Sequence, residues 1–90
     1  MTTKITIELF SVNACSRCDK AKKCIKAMVD EFGDNTILYR EHDVLEELDY
    51  AVALGILATP AIAIDGELVF SGMPSIKRLQ DEINKRLALK

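Results

Sequence analysis

The sequence predicts an α/β fold in which three helices flank a four-stranded mixed sheet, in the element order β-α-β-α-β-β-α. Strand-like and helix-like patterns alternate along the chain as far as Pro60, which is typical of strands joined by helical connections. An Asp65-Gly66 pair then joins two short strand-like segments and predicts a β-hairpin. The chain has 90 residues, of which 49% are apolar and 29% charged, as expected of a single globular domain over residues 1–90.

The first half of the chain carries the pattern of a strand, a helix and a second strand. Residues 4–10 alternate β-branched and polar side chains before becoming apolar, which predicts a strand. A helix is predicted to begin near Cys15 and to end at Gly33. Its apolar face comprises Cys18, Ala21, Ile25, Met28, Val29 and Phe32. Residues 34–35 are predicted to turn the chain into a short strand over residues 36–42.

The second half carries a helix, a hairpin and a final helix. Apolar residues at helical spacing over residues 45–56 predict a helix capped by Asp43 and ended by Gly55. Residues 61–64 and 67–70 are the two strands of the predicted hairpin. After a break at residues 72–75, the last helix is predicted to bury a stripe formed by Ile76, Leu79, Ile83 and Leu87.

Cys15 and Cys18 form a Cys-x-x-Cys motif at the predicted junction of the first strand and the first helix. Two cysteines three residues apart on a first helical turn are close enough to form a disulfide. Unpaired backbone N–H groups and the helix dipole stabilise a thiolate there, so we expect the pKa of Cys15 to lie below the usual value of about 8.5. This predicts Cys15, at the mouth of the site, as the nucleophile and Cys18, on the core-facing stripe, as the resolving thiol.

The third cysteine and the single histidine offer little support for a metal site. A tetrahedral zinc site usually needs four ligands, and only Cys24 and His42 remain, neither at short ligand spacing. We expect Cys24 to be a partly buried small apolar residue and His42 to be a surface or loop residue. A soft-metal carrier with the same motif would place its hairpin earlier in the chain.

Charge and hydropathy exclude two classes of partner. The net charge is −2 and basic residues are mixed with acidic ones, which argues against nucleic-acid binding. The sequence shows no signal-peptide pattern and no apolar run long enough for a membrane span, so we expect a cytoplasmic location and no membrane partner.

A basic segment contains Arg17, Lys20, Lys22, Lys23 and Lys26, and an acidic one contains Glu41, Asp43, Glu46, Glu47 and Asp49. These segments are either solvated helix faces or, for the basic one, a positive field around Cys15.

The chain resembles the thioredoxin/glutaredoxin superfamily, and most of all the minimal glutaredoxin-like small thioredoxins of archaea and bacteria. Besides the cysteine pair, the matching features are Thr59-Pro60 before an apolar strand, the Asp-Gly hairpin, and Gly72 ahead of the last helix. The resemblance implies a thioredoxin-like fold and a cis peptide bond at Pro60 that faces the disulfide. It also implies that Thr59, Pro60, Arg17 and Gly72 contact substrate.

Three departures from the family pattern limit what the resemblance implies. Thioredoxins have a tryptophan before the first cysteine and Gly-Pro between the two, where this sequence has Ala14, Ser16 and Arg17. Leu9 occupies the position of a buried acid, and Glu8 would point to the opposite face of its strand. The Gly-Gly pair with which glutaredoxins hold glutathione is replaced by residues 71–73.

The residues and the resemblance together predict a thiol-disulfide oxidoreductase that reduces protein disulfides through Cys15 and Cys18. Its redox group is the disulfide itself, without a further cofactor. The resemblance implies recharging by a flavin-dependent thioredoxin reductase-like protein or another reductant, and we expect a monomer. Two alternatives stay open: a glutathione-dependent glutaredoxin, and a module that binds copper(I), zinc or arsenite through the same two thiols.

Overall fold

The computed structural model describes residues 5–12, 15–33 and 36–88. They form a four-stranded mixed sheet with strand order β2-β1-β3-β4 and three helices, in the predicted element order. The elements are β1 (Ile5–Ser11), α1 (Ser16–Phe32), β2 (Ile37–Asp43), α2 (Leu48–Leu54), β3 (Ala61–Ile64), β4 (Glu67–Ser71) and α3 (Ile76–Ala88). No helix in these residues is long and apolar enough to cross a membrane.

Strand β1 lies between two neighbours of opposite direction, and this pairing decides which loops meet. It pairs parallel with β2, with Ser11 opposite Asp43, and antiparallel with β3, with Phe10 opposite Ala61. In the β3–β4 hairpin, Ala61 pairs with Ser71. The carboxyl ends of β1, β2 and β4 and the amino end of β3 therefore lie at one end of the sheet.

The two faces of the sheet are covered differently. On one face, α1 and α3 pack on a large apolar core that comprises Ile5, Ile7, Leu9, Ala21, Ile25, Met28, Val29, Ile37, Ile62, Ile64, Leu79 and Ile83. On the other face, α2 covers a smaller core that comprises Phe10, Ala51, Ala61 and Ala63. Alternation along β1 explains the division, because Leu9 and Phe10 point to opposite faces.

The hairpin forms as predicted because its two turn residues adopt left-handed backbone conformations. Asp65 has φ 53° and Gly66 has φ 80°, as a two-residue turn between antiparallel strands requires. Asp65 also binds β1 through its carboxylate, which accepts a hydrogen bond from the Thr6 N–H at 2.9 Å. The turn is thus tied to the neighbouring strand of the sheet.

The prediction for α2 was wrong at its start. The helix begins at Leu48, and residues 44–47 form turns. Asp43 caps these turns, because its Oδ1 accepts hydrogen bonds from the N–H groups of Leu45 and Glu46 at 2.8 and 3.3 Å. The end was predicted correctly, since Gly55 takes the left-handed conformation that closes the helix. The first residue of the predicted β1, Lys4, and the predicted turn at residues 34–35 lie outside the described residues.

Candidate active site

The two motif cysteines form a disulfide at the amino end of α1. Cys15 is the N-cap of this helix, and its Sγ accepts a hydrogen bond from the Cys18 N–H at 3.2 Å. This N–H is one of the donors that a helix leaves without an intrahelical partner. A sulfur at this position therefore sits where the backbone offers both a hydrogen bond and the positive end of the helix dipole.

The two sulfurs differ in their exposure to solvent. Cys18 is 1% exposed, whereas Cys15 is only partly buried. Cys18 belongs to the core-facing stripe of α1 together with Ala21 and Ile25. Of the two cysteines, Cys15 is therefore the one on the solvent side of the disulfide, and Cys18 is the one on the protein side.

The loop before β3 lies at the same end of the sheet as the disulfide. The Thr59–Pro60 peptide bond is cis, as the resemblance implies. Pro60 is fully buried, and its carbonyl accepts a hydrogen bond from the Gly72 N–H at 2.6 Å. The strand pairing thus brings Pro60 and Gly72 together beside the end of β1 from which the chain continues to Cys15.

The basic segment around the motif is exposed to solvent. Arg17 and Lys20 are both exposed, and Asp19 adds an acidic group to the first turn of α1. Lys26 reaches the acidic segment and pairs with Glu41 at 3.8 Å. Arg17 follows Cys15 by two residues and is exposed close to the disulfide. Ala14 lies outside the described residues.

Leu9 and Glu8 occupy the two faces of β1 that the sequence assigned to them. Leu9 is fully buried in the core beneath α1 and α3, on the face that carries Cys18. Glu8 points to the α2 face and is 7% exposed. A buried carboxylate therefore exists in this protein, but on the side of the sheet away from the helix that holds the disulfide.

Glu8 belongs to a partly buried polar network that the sequence did not predict. Its Oε2 lies 2.7 Å from His42 Nε2, and its Oε1 accepts a hydrogen bond from the Tyr50 hydroxyl at 2.8 Å. The His42 ring stacks on Phe10 with centroids 4.9 Å apart. Because 34 residues separate Glu8 from His42 and 42 separate it from Tyr50, no local pattern could have indicated the network.

The expectation that His42 is a surface or loop residue was wrong. His42 lies in β2, and its side chain is 12% exposed. Its second ring nitrogen, Nδ1, lies 2.5 Å from Glu47 Oε2, in a geometry that is not that of a hydrogen bond. The two short distances place the His42 ring between the carboxylates of Glu8 and Glu47.

Cys24 agrees with its prediction, since it is a free thiol of intermediate exposure on α1. Among the residues that the structure describes, no group of three or more His, Cys, Asp or Glu side chains is arranged to hold a metal ion.

Comparison with known proteins places this site in a family. Residues 3–84 match the family model described as "Thioredoxin domain". A thioredoxin of Methanocaldococcus jannaschii is 34% identical over 85 residues, covering 94% of this chain and 99% of the relative. A probable thioredoxin of Methanothermobacter thermautotrophicus is 34% identical over 83 residues, covering 92% of this chain and 96% of the relative.

Solved structures agree on the fold. A mutant thioredoxin from Halobacterium salinarum superimposes with a TM-score of 0.79 at 20% identity, covering 94% of this chain and 76% of that one. The thioredoxin of Fasciola hepatica gives a TM-score of 0.77 at 20% identity, covering 94% of this chain and 83% of that one.

The relatives and the disulfide at the helix amino end together make this protein a thiol-disulfide oxidoreductase with protein-disulfide reductase activity. They do not favour the glutaredoxin alternative. The chain belongs to the thioredoxin domain family.

Proposed function

We propose that Cys15 is the attacking thiol and Cys18 the resolving thiol of this reductase. In the reduced protein, the Cys15 thiolate attacks one sulfur of a substrate disulfide, forms a mixed disulfide and releases the other substrate sulfur as a thiolate. Cys18 then loses its proton and attacks the Cys15 sulfur. The Cys15–Cys18 disulfide forms, the second substrate thiol leaves, and two electrons have passed to the substrate.

The observation that carries this assignment is the unequal exposure of the two cysteines at a helix amino end. Cys15 can meet a bulky disulfide, whereas Cys18 at 1% exposure can reach only the Cys15 sulfur of the mixed disulfide. The Cys18 N–H that bonds to Cys15 Sγ would equally stabilise a thiolate there. For this reason we expect the pKa of Cys15 in the reduced protein to lie below about 8.5.

The substrate-binding surface that we propose comprises Thr59, Pro60, Gly72 and Arg17. Pro60 offers no backbone N–H, and the Gly72 N–H is taken by the Pro60 carbonyl. An extended substrate segment would therefore pair with the backbone of Thr59, as β-strand addition requires. Arg17 is exposed next to Cys15 and can bind acidic groups of a substrate.

The relatives imply disulfide substrates and a reductant in general terms. We propose a flavin-dependent thioredoxin reductase-like protein as that reductant, and a monomer of one domain in the cytoplasm. Steady-state rates with such a reductase and with glutathione compare the two sources of electrons. Faster recycling by glutathione would contradict the proposal.

Single cysteine variants test the roles of the two thiols. Cys15→Ser should lose insulin reduction to the uncatalysed rate, because no nucleophile remains that solvent can reach. Cys18→Ser should accumulate a mixed disulfide through Cys15, which mass spectrometry of the intact protein detects. Cys24→Ser is the matched control and should keep its activity. Wild-type turnover by Cys15→Ser, or a tight metal complex without exchange activity, would contradict the proposal.

The rate of alkylation against pH tests the reactivity of Cys15. In the reduced protein, iodoacetamide should modify Cys15 first, with a midpoint below about pH 8.5, because the thiolate is the reactive form. The Cys24 thiol in the same sample serves as the internal comparison. A Cys15 that stays unmodified at neutral pH would exclude it as the nucleophile.

A further inference from the structure

Residues 45–50 form an open groove that the reductase mechanism does not use. Its volume is about 380 Å³, and its lining is Leu45, Glu46, Glu47, Leu48, Asp49 and Tyr50. Leu45 is 71% exposed and Leu48 is 51% exposed, which is high for large apolar side chains. The groove therefore combines exposed leucines with three carboxylates.

Two of these carboxylates have no partner within the part of the chain that the structure describes. Glu47 contacts His42, and Asp43 and Glu41 nearby are engaged by backbone N–H groups and by Lys26. The carboxylates of Glu46 and Asp49, in contrast, make no ion pair or hydrogen bond with another described residue. They remain available for a cation from outside.

The groove is held in place by contacts of its lining residues with β1 and β2. Tyr50 is bound to Glu8 on β1, Glu47 contacts His42 on β2, and Asp43 fixes the N–H groups of Leu45 and Glu46. A surface that is already ordered loses little conformational entropy when a partner binds. This argues for a preformed site rather than a loosely attached turn.

The groove lies at the disulfide end of the sheet. The Val44 N–H bonds to the Ser11 carbonyl at 2.9 Å, and Ser11 is four residues before Cys15. The reach of the chain and the spacing of the strands put Leu45 within about 26 Å of Cys15. An extended segment of up to about eight residues, joined to Cys15 through a mixed disulfide, can span this distance.

We propose that this groove docks a basic, apolar segment of the disulfide substrate, within about eight residues of the substrate cysteine. Lysine and arginine fit both halves of the lining, because their aliphatic stems can pack on Leu45 and Leu48 while their cationic ends meet Glu46 and Asp49. The inference rests on the proposed function, since it names the class of substrate that Cys15 reduces.

The test compares two synthetic peptides with the same internal disulfide loop and a flanking Leu-Lys-Leu-Lys or Leu-Glu-Leu-Glu segment. The wild type should show a higher kcat/KM for the lysine peptide. Glu46→Lys with Asp49→Lys should lower that value by about five- to tenfold, the range expected when two exposed charges are reversed. The difference should shrink at high salt.

Matched controls separate this groove from general charge effects. Asp30→Lys with Glu31→Lys makes the same charge change on exposed residues of α1, about 18 Å or more from Cys18 along the helix, and should leave the lysine peptide unaffected. Leu45→Ser with Leu48→Ser should slow both peptides, whereas Ile76→Ser, at a site 53% exposed on α3, should slow neither.

Three outcomes decide the inference. Reduction of a small aromatic disulfide by the wild type shows that the proposed function holds, and its failure would overturn that function and not the groove alone. Equal rates with both peptides, while the small disulfide is reduced, would overturn the docking site. Self-association of the wild type in sedimentation experiments that Glu46→Lys with Asp49→Lys abolishes would assign the groove to a second copy and would also overturn it.

Discussion

The two faces of β1 are built on different principles, although their residues alternate along one strand. The face toward α1 and α3 is apolar throughout and buries Ile5, Ile7 and Leu9 completely. The face toward α2 buries Phe10 among alanines and places Glu8 in a network with His42 and Tyr50. The first face anchors the helix that carries the disulfide, and the second fixes the acidic segment beside it.

This difference shows how a small domain can position two kinds of surface with one sheet. The hydrophobic effect depends on the apolar area that is buried and not on the direction of each contact. The large core therefore holds the long helix α1 through buried area. The short helix α2, with seven residues, packs Ala51 on the smaller core and is also tied to β1 by the hydrogen bond from Tyr50 to Glu8. The predictions that follow compare the faces, from the largest expected effect to the smallest.

Leu9→Ala should lower the free energy of unfolding more than Glu8→Ala, the substitution at the neighbouring position of β1. Removal of a fully buried leucine leaves a cavity in the large core, and we expect a loss of about 3 kcal/mol in the free energy of unfolding. Urea unfolding of the oxidised protein at pH 7 measures it. Leu38→Ala on β2, where the side chain is 39% exposed, is the control and should change stability by less than about 0.5 kcal/mol. An equal loss in both variants would show that the core is not where the structure puts it.

Glu8→Ala should lower the free energy of unfolding, but by less than Leu9→Ala does. It leaves His42 and the Tyr50 hydroxyl without their partner, and an unsatisfied buried polar group costs about 1–3 kcal/mol. Tyr50 is 37% exposed and can turn to water, which favours the lower part of that range. Tyr50→Phe in the same urea assay removes one hydrogen bond and should cost about 1 kcal/mol or less. A Glu8→Ala variant as stable as the wild type would exclude a structural role for the network.

The titration of Tyr39 and Tyr50 should have the smallest effect on stability, and it should distinguish the two faces of β1 most clearly. Burial, followed by the hydrogen bond to Glu41, raises the pKa of Tyr39 above its usual range. The hydrogen bond to Glu8, followed by burial, raises the pKa of Tyr50. Because both folded-state pKa values exceed the unfolded value of about 10, this contribution to stability is complete below pH 10 and is lost as the pH rises through the folded values.

Absorbance of tyrosinate against pH measures both groups in the folded protein. Glu8→Gln should lower the pKa of Tyr50 toward 10, since it replaces the charged acceptor of the Tyr50 hydrogen bond by a neutral amide oxygen, and should leave Tyr39 unchanged. Tyr50→Phe identifies which transition belongs to which side chain. A shift of Tyr39 in the Glu8→Gln variant would contradict the separation of the two faces.

The sequence indicated most of the fold because local patterns carry it. The Asp65-Gly66 pair specified the hairpin, Gly55 specified the end of α2, and the stripe that includes Cys18 specified the buried side of α1. The start of α2 was missed because an aspartate caps a turn and a helix by the same hydrogen bonds. Only the backbone that follows Asp43 distinguishes the two.

By itself, the sequence determined the order of the elements, the cysteine pair at a helix start, and the face to which Glu8 points. These properties depend on periodicity and on residues close in the chain. Tertiary structure alone decided that the Gly72 N–H meets the Pro60 carbonyl, and that Glu8 joins His42 and Tyr50. Such contacts depend on which strands pair and in what register, and that is settled by packing of the whole sheet rather than by any segment of it.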